Sequence, residues 1–191
     1  IKINDPAVLT QLSDFAGEFV VAAAGPDMES VIAGKGSGAY QYSMDHHCRV
    51  INLDIGGGTA NAVLFDDGNV AARGCVDIGG RLICVDRDGT VEKISPAAAA
   101  VAEEAGVLLS AGQKTSVSEL MKVTDRMAEL LEVFLGLVPA EPLLERLRTP
   151  GSSAFHISGG AEAVFFSGGV ADIIYRDCSD IFLYGDIGVL L

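Results

Sequence analysis

The run Asp54-Ile55-Gly56-Gly57-Gly58-Thr59 brings a carboxylate, three positions without a Cβ and a hydroxyl within six residues. Adjacent glycines let backbone N–H groups close on an anion from a concave nest. The acid just before them suits a divalent cation, held directly or through water, that bridges phosphate oxygens. Thr59 adds a hydroxyl donor. Together these groups read as a site for a nucleotide polyphosphate. The plainer alternative is a hairpin turn that only needs positive φ. One glycine would serve such a turn, whereas three in a row cost backbone entropy and leave no side chain to pack.

Positioning these groups falls to the strands on either side. Cys48 to Leu53 is β-branched and apolar, and Ala60 to Phe65 is a second apolar run that ends at Asp66-Asp67-Gly68-Asn69, a hairpin signal. The pattern predicts three consecutive strands over 48–54, 60–65 and 69–76, the last closed by the pair Gly79-Gly80, and then a ribbon over 82–86 and 90–94 turned at Asp88-Gly89. Upstream, Asp5-Pro6 opens a helix ending at Gly17, Phe19 to Ala24 is a short strand, and Gly25-Pro26 opens a helix to Gly34. Gly34 to Gly38 suits a bend before a loop over Ser43 to His47. Downstream, Ser95-Pro96 starts an alanine-rich helix to Gly106, and Ser116 to Val138 is the longest helix, stopped by Pro139. Its stripe of Val117, Leu120, Met121, Met127, Leu131, Phe134 and Leu135 is read as core packing. Glu141 to Arg148 forms a short helix, Ala163 to Phe166 a strand leading into Ser167-Gly168-Gly169, a helix starts near Val170, and Ile181 to Tyr184 is the last strand.

Composition narrows the function classes. With 191 residues and 49% hydrophobic content the chain can bury a substantial core. Its net charge of −13 disfavours nonspecific nucleic-acid binding and attraction to anionic membranes. No apolar run is long enough to span a bilayer, and no secretory signal is visible. Cys48, Cys75, Cys84 and Cys178 lack CxxC spacing and read as buried free thiols of a reducing, cytoplasmic setting. His46-His47-Cys48 reads as a solvated loop rather than a metal cluster, because adjacent residues rarely converge on one ion. The start at Ile1 and the stop at Leu191 inside an apolar run lead us to expect cuts in a longer polypeptide at both ends.

Three stretches carry a family resemblance. "NLDIGGGTANAVLFDDGNV" is similar to the second phosphate loop of the heat-shock-chaperone ATPases, "FFSGGVADIIYR" resembles the adenosine motif of the actin, sugar-kinase and chaperone superfamily, and "AGPDMESVIAG" resembles the helix linking its two lobes. The pair Gly79-Gly80 also matches the chaperone branch. With "VDIGGRLI" and "SGGVAD" added, nearly the whole chain resembles the large reactivating factors of ethanolamine ammonia-lyase, the ethanolamine utilization protein A family. The resemblance implies an α/β, ribonuclease-H-like lobe with a mixed central sheet flanked by helices. Residues 1–46 would be the end of the first actin-like lobe and the linking helix, and 47–191 a second lobe truncated at its C-terminus.

The same resemblance implies an ATP-dependent, chaperone-like factor that frees damaged cobalamin from the lyase, with ATP or ADP and Mg²⁺ as ligands. Carried over by position, Asp54 would orient Mg²⁺ and its waters, and Gly56, Gly57, Gly58 and Thr59 would hold the β- and γ-phosphates. Gly79 and Gly80 complete the phosphate site, Gly168 and Gly169 border the adenosine, and Arg126 lies where chaperone ATPases place an adenosine-contacting base. Gly25 stands where the chaperones have an acid before the linker proline; Glu29, one turn on, is the candidate substitute for orienting water, beside ordinary helix solvation. Arg81 replaces a second chaperone acid, so slow turnover is expected, with nucleotide acting as a conformational switch. No second acid-glycine hairpin provides the family's first phosphate loop, so this chain should bind ATP far more weakly than the intact protein. Association with a bacterial microcompartment and oligomerisation stay open. Two other classes also stay open: a small-molecule kinase of the same fold, and a nucleotide-switched assembly or scaffold protein with Leu143 to Leu147 as partner surface.

Overall fold

The structure, a computed structural model, describes residues 25–176 and 178–191. The expected helix from Asp5 and the strand from Phe19 to Ala24 lie outside the described residues. In chain order the elements are α1 (Pro26–Gly36), α2 (Ala39–His46), β1 (Arg49–Ile55), β2 (Ala60–Asp66), β3 (Asn69–Val76), β4 (Ile83–Val85), β5 (Val91–Ile94), α3 (Pro96–Glu104), α4 (Val117–Phe134), α5 (Pro142–Leu147), β6 (Ala163–Ser167) and α6 (Gly169–Ile174).

The three consecutive strands form an antiparallel meander, and β6 joins parallel to β1, giving a mixed sheet in the order β3-β2-β1-β6. The hairpin between β2 and β3 turns through Asp67 and Gly68, both at positive φ (48° and 75°), as its Asp-Gly sequence foretells. β1 is covered on both faces, which explains its near-continuous apolar run. Alternation still sorts its side chains. Ile51, Leu53 and Ile55 join Ala62 and Leu64 of β2, and Leu120, Met127 and Leu130 of α4, in the main core. Val50 points the other way, with Val63, Phe65 and Ala39, beneath α1 and α2. Gly34 is required there, because a Cβ would lie 2.6 Å from Val63 Cγ1 and Phe65 Cε2. The result is an α/β fold whose mixed sheet is flanked by helices.

Several expectations are corrected. Residues 39–46 form helix α2 and not a loop: Gly38 at φ 91° redirects the chain, and buried Ser43 donates to Cys48 O while accepting Gly68 N–H. α4 ends at Phe134, before Pro139, because Gly136 takes φ 72° and Leu137 N–H returns to Glu132 O. Val117 and Met121 are exposed, and Val123, Leu130 and Val133 fill the buried stripe in their place. No strand forms over 181–184. Asp180 instead accepts Phe182 N–H through its side chain and Leu183 N–H through its carbonyl, winding the segment into turns. Of the four cysteines only Cys75 is fully buried. Leu143 and Leu147 are 2% and 1% exposed, so α5 spends its apolar face on its own core and offers no partner surface there. No helix of the described residues is long and apolar enough to cross a membrane.

Candidate functional site

β1 and β2 stay paired to Ile55↔Ala60, so the four residues 56–59 must reverse the chain within one tight loop, closed by Gly56 N–H to Thr59 O at 2.9 Å. None of Gly56, Gly57 and Gly58 lies at positive φ, which removes the plain-turn explanation for them. Steric need does not replace it. A Cβ on Gly58 would meet nothing within 4 Å, and one on Gly56 would meet only Thr59 O, at an ordinary 3.6 Å. Gly57 alone is crowded, by the Arg81 side chain at 3.2 Å.

The second glycine pair packs directly on this loop. A Cβ on Gly79 would lie 2.7 Å from Gly56 O and 2.8 Å from the Gly57 carbonyl group. That contact lets Gly80 N–H bond Gly56 O at 3.0 Å and Arg81 N–H bond Gly57 O at 2.6 Å. Gly80 in turn meets Gly188, whose Cα would sit 2.8 Å from a Cβ at position 80, and Ile187 N–H bonds Gly80 O at 3.0 Å. Three backbone stretches, 56–57, 79–81 and 187–188, therefore lie side by side. The stretch 79–81 holds the carbonyls of Gly56 and Gly57, and with the Gly56 N–H spent on Thr59 O the loop's N–H edge is that of Gly57 to Thr59.

Asp54 is fixed by a relay across the sheet. Asn52 Nδ2 donates to Ser167 Oγ at 3.0 Å, and Ser167 Oγ donates to Asp54 Oδ1 at 2.8 Å. The register sets Asp54 opposite Asn61 on β2 and Ser167 on β6, on the sheet face beneath α1 and α2. The side-chain oxygens of Asn52 and Asn61 are buried there without a hydrogen-bond partner among the described residues, so this polar end of the face has acceptor capacity left over. Gly168 closes the site from β6: at φ 88°, it would drive a Cβ into the Ile55 carbonyl and within 3.0 Å of Asp54 Oδ1. Thr59 faces Cys75, whose thiol is pushed up by burial against hydrogen bonds from Thr149 and Thr59.

These loops bound a cleft of about 290 Å³ lined by Gly56, Gly57, Gly80, Arg81, Gly169, Val170, Asp172, Ile173, Tyr184, Asp186 and Gly188. Five of those eleven residues are glycines, so backbone approaches the cleft across much of its wall. Of the candidate residues, Gly56, Gly57, Gly80 and Gly169 line it directly, while Asp54 near the end of β1 and Gly58, Thr59, Gly79 and Gly168 lie in the flanking chain without lining it. Two further candidates lie on helices and do not line it either. Glu29 is exposed on α1, near enough to Cys75 for its charge to act on the thiol. Arg126 is bound by three carboxylates, Glu104 at the end of α3, Glu129 one turn along α4, and Glu141 at the start of α5. These hydrogen bonds, Glu141 foremost, hold its guanidinium well above the ordinary arginine range. Arg126 is a clamp between helices and does not line this cleft.

Asn52, Asn61 and Ser167 were missed by sequence reasoning, as were Asp186 and Gly188. The triplet Asn52-Leu53-Asp54 carried the only available signal, because alternation puts Asn52 and Asp54 on one face. Among the described residues no group of three or more His, Cys, Asp or Glu side chains could hold a metal by itself. A magnesium ion here would depend on Asp54, water and ligand oxygens, a donor set that the hard, oxygen-seeking ion accepts.

The family model described as ethanolamine utilisation protein EutA matches residues 1–191. Two curated relatives carry the name ethanolamine ammonia-lyase reactivase EutA, one from Escherichia coli (strain K12) and one from Salmonella typhimurium (strain LT2). Each is 40% identical over 187 residues, 97% of this chain. The chain spans 39% of the length of each of these relatives.

Proposed function

The chain belongs to the ethanolamine utilisation protein EutA family, and from that premise we propose that it forms the nucleotide-gripping lobe of an ATP-dependent factor that releases damaged cobalamin from ethanolamine ammonia-lyase. One observation carries the nucleotide half of this reading. Gly58 has room for a Cβ and no positive φ, so the protein's own packing does not call for glycine there. An anion drawn against its N–H group does call for it. The order β3-β2-β1-β6, an antiparallel meander with a parallel fourth strand, supports the ribonuclease-H-like, actin-like assignment.

In this reading the N–H groups of Gly57 to Thr59 cradle the β- and γ-phosphates of ATP or ADP, while the Gly56 N–H closes the loop on Thr59 O. The N–H groups of Gly80 and Arg81, with Gly79 packed against the loop, hold its carbonyls back so that its donors face the ligand. Asp54, steadied by Ser167, orients the waters of Mg²⁺. Mg²⁺, when bound, neutralises charge between the β- and γ-phosphates. Gly168 and Gly169 let the nucleoside lie against backbone beside β6. Gly25 stands without a carboxylate at the head of α1, and exposed Glu29 does not line the cleft, so hydrolysis is slow and binding sets the conformation. The partner is the lyase named for the relatives, in a cytoplasmic setting.

The test uses the intact protein, lyase inactivated by cyanocobalamin, and ATP with Mg²⁺. Release of cyanocobalamin that needs all three components supports the proposal. Release without nucleotide, or phosphorylation of a small molecule in its place, contradicts it.

A further inference from the structure

The cleft poses an electrostatic problem for the ligand proposed above. Its wall carries two carboxylates, Asp172 and Asp186, on a chain of net charge −13. A polyphosphate entering it meets like charge, and Asp54 stands behind the loop. Among the described residues that line the cleft, Arg81 is the one cation.

Arg81 is built into place at three levels. Its backbone N–H bonds Gly57 O at 2.6 Å, which fixes the Cα against the phosphate loop. Its methylene stem covers Gly57, with Cγ and Cδ both 3.2 Å from where a Cβ at 57 would sit. Its head is tethered by Asp186, Nε to Oδ2 at 3.6 Å. The tether is one-sided: Asp186 is 7% exposed and its other oxygen accepts Gly188 N–H at 2.9 Å, whereas Arg81 is 69% exposed. A solvated guanidinium with five donors, held at one nitrogen, has its outer fork available to a second anion.

We propose that Arg81 is the phosphate-contacting cation of this cleft, poised by Asp186 to take the polyphosphate tail of a nucleoside di- or triphosphate. Gly57 is then a glycine for two reasons: its N–H serves the nest, and its bare Cα seats the arginine stem. This role rests on the nucleotide reading above and adds the residue that offsets the acidic wall. It also accounts for a cation where the chaperone pattern has an acid.

Calorimetric titration of the intact protein with Mg·ADP tests it. Arg81→Met keeps the stem over Gly57 and removes the charge; affinity should fall by about tenfold to a hundredfold with the melting temperature unchanged. Arg81→Lys should recover part of the loss, since it restores charge without the planar fork. Asp186→Asn keeps an acceptor for Gly188 but loosens the tether, and its several-fold loss should vanish in the Arg81→Met background, a non-additivity that a merely structural role would not produce. Wild-type affinity in Arg81→Met, or additive losses in the double variant, would overturn the role of Arg81 while leaving the nucleotide site standing. Absence of Mg·ADP binding in the wild type would instead remove the nucleotide reading itself.

Discussion

A methyl group added to Gly58 would meet no atom within 4 Å, whereas one added to Gly79 would press on the Gly56 carbonyl at 2.7 Å. The two glycines should therefore separate binding from folding. Gly58→Ala, at a φ that alanine accepts, should hold or slightly raise stability, within about 1 kcal/mol. It should nevertheless weaken Mg·ADP by about tenfold or more, because the methyl occupies the approach to the nest. Gly79→Ala should destabilise the fold by about 1–3 kcal/mol, read as a lower melting temperature without any ligand. Equal effects of the two on melting would contradict the assignment. Both glycine runs were legible in the sequence, but what each is for was not. That depends on which backbone lies across from which, and 56–57 meets 79–81 across more than twenty residues of intervening chain. Arg126 shows the opposite limit. Helical spacing placed it correctly on the long helix, while its partners Glu104 and Glu141 come from the two neighbouring helices, which no local pattern reveals.

Among elements, α1 is the one whose attachment has a distinct chemical signature. Asp27, in its first turn, accepts Ser153 N–H at 2.9 Å, the Ser153 hydroxyl at 2.5 Å and Arg73 Nε at 3.1 Å. It ties the helix to β3 and to the loop that crosses Gly74. Burial raises this carboxyl, but the hydrogen bonds from Ser153 and Arg73 outweigh it, and the group sits below the ordinary aspartate range. A depressed folded value means that the tie contributes fully above the unfolded value of about 3.9 and is lost as pH falls through the folded one. Asp27→Asn should therefore melt below wild type at neutral pH, with the gap closing at a pH under about 4. A gap that stays constant into acid would show that the carboxylate charge is not what holds α1. Element order was largely legible here because periodicity two and periodicity 3.6 are strongly written in β1 to β3 and α4. What failed were segments governed by single residues: Gly38 turning 39–46 into a helix, Gly136 ending α4, and Asp180 winding 181–184 into turns.

At the scale of the molecule, the cleft is a half-shell. Its glycine wall comes from the ends of β1, β3 and β6 and from the segment 186–188, and it opens outward across exposed Arg81 and Tyr184. A ligand held on one side buries less surface and keeps more of its hydration. The chain of 191 residues, spanning 39% of its curated relatives, should accordingly bind Mg·ATP at least about tenfold more weakly than the full-length protein. Equal calorimetric affinities would mean that all the binding groups are already in this chain. The family was legible from scattered phrases of sequence; the acidic wall and its arginine emerged only when distant segments were set side by side. The most direct measurement is the structure of the full-length protein with Mg·ADP. The account predicts the β-phosphate against the N–H groups of Gly57 to Thr59, the Arg81 guanidinium on a phosphate oxygen, and the metal's waters on Asp54. Nucleotide bound at another place, with this loop bare, would contradict it.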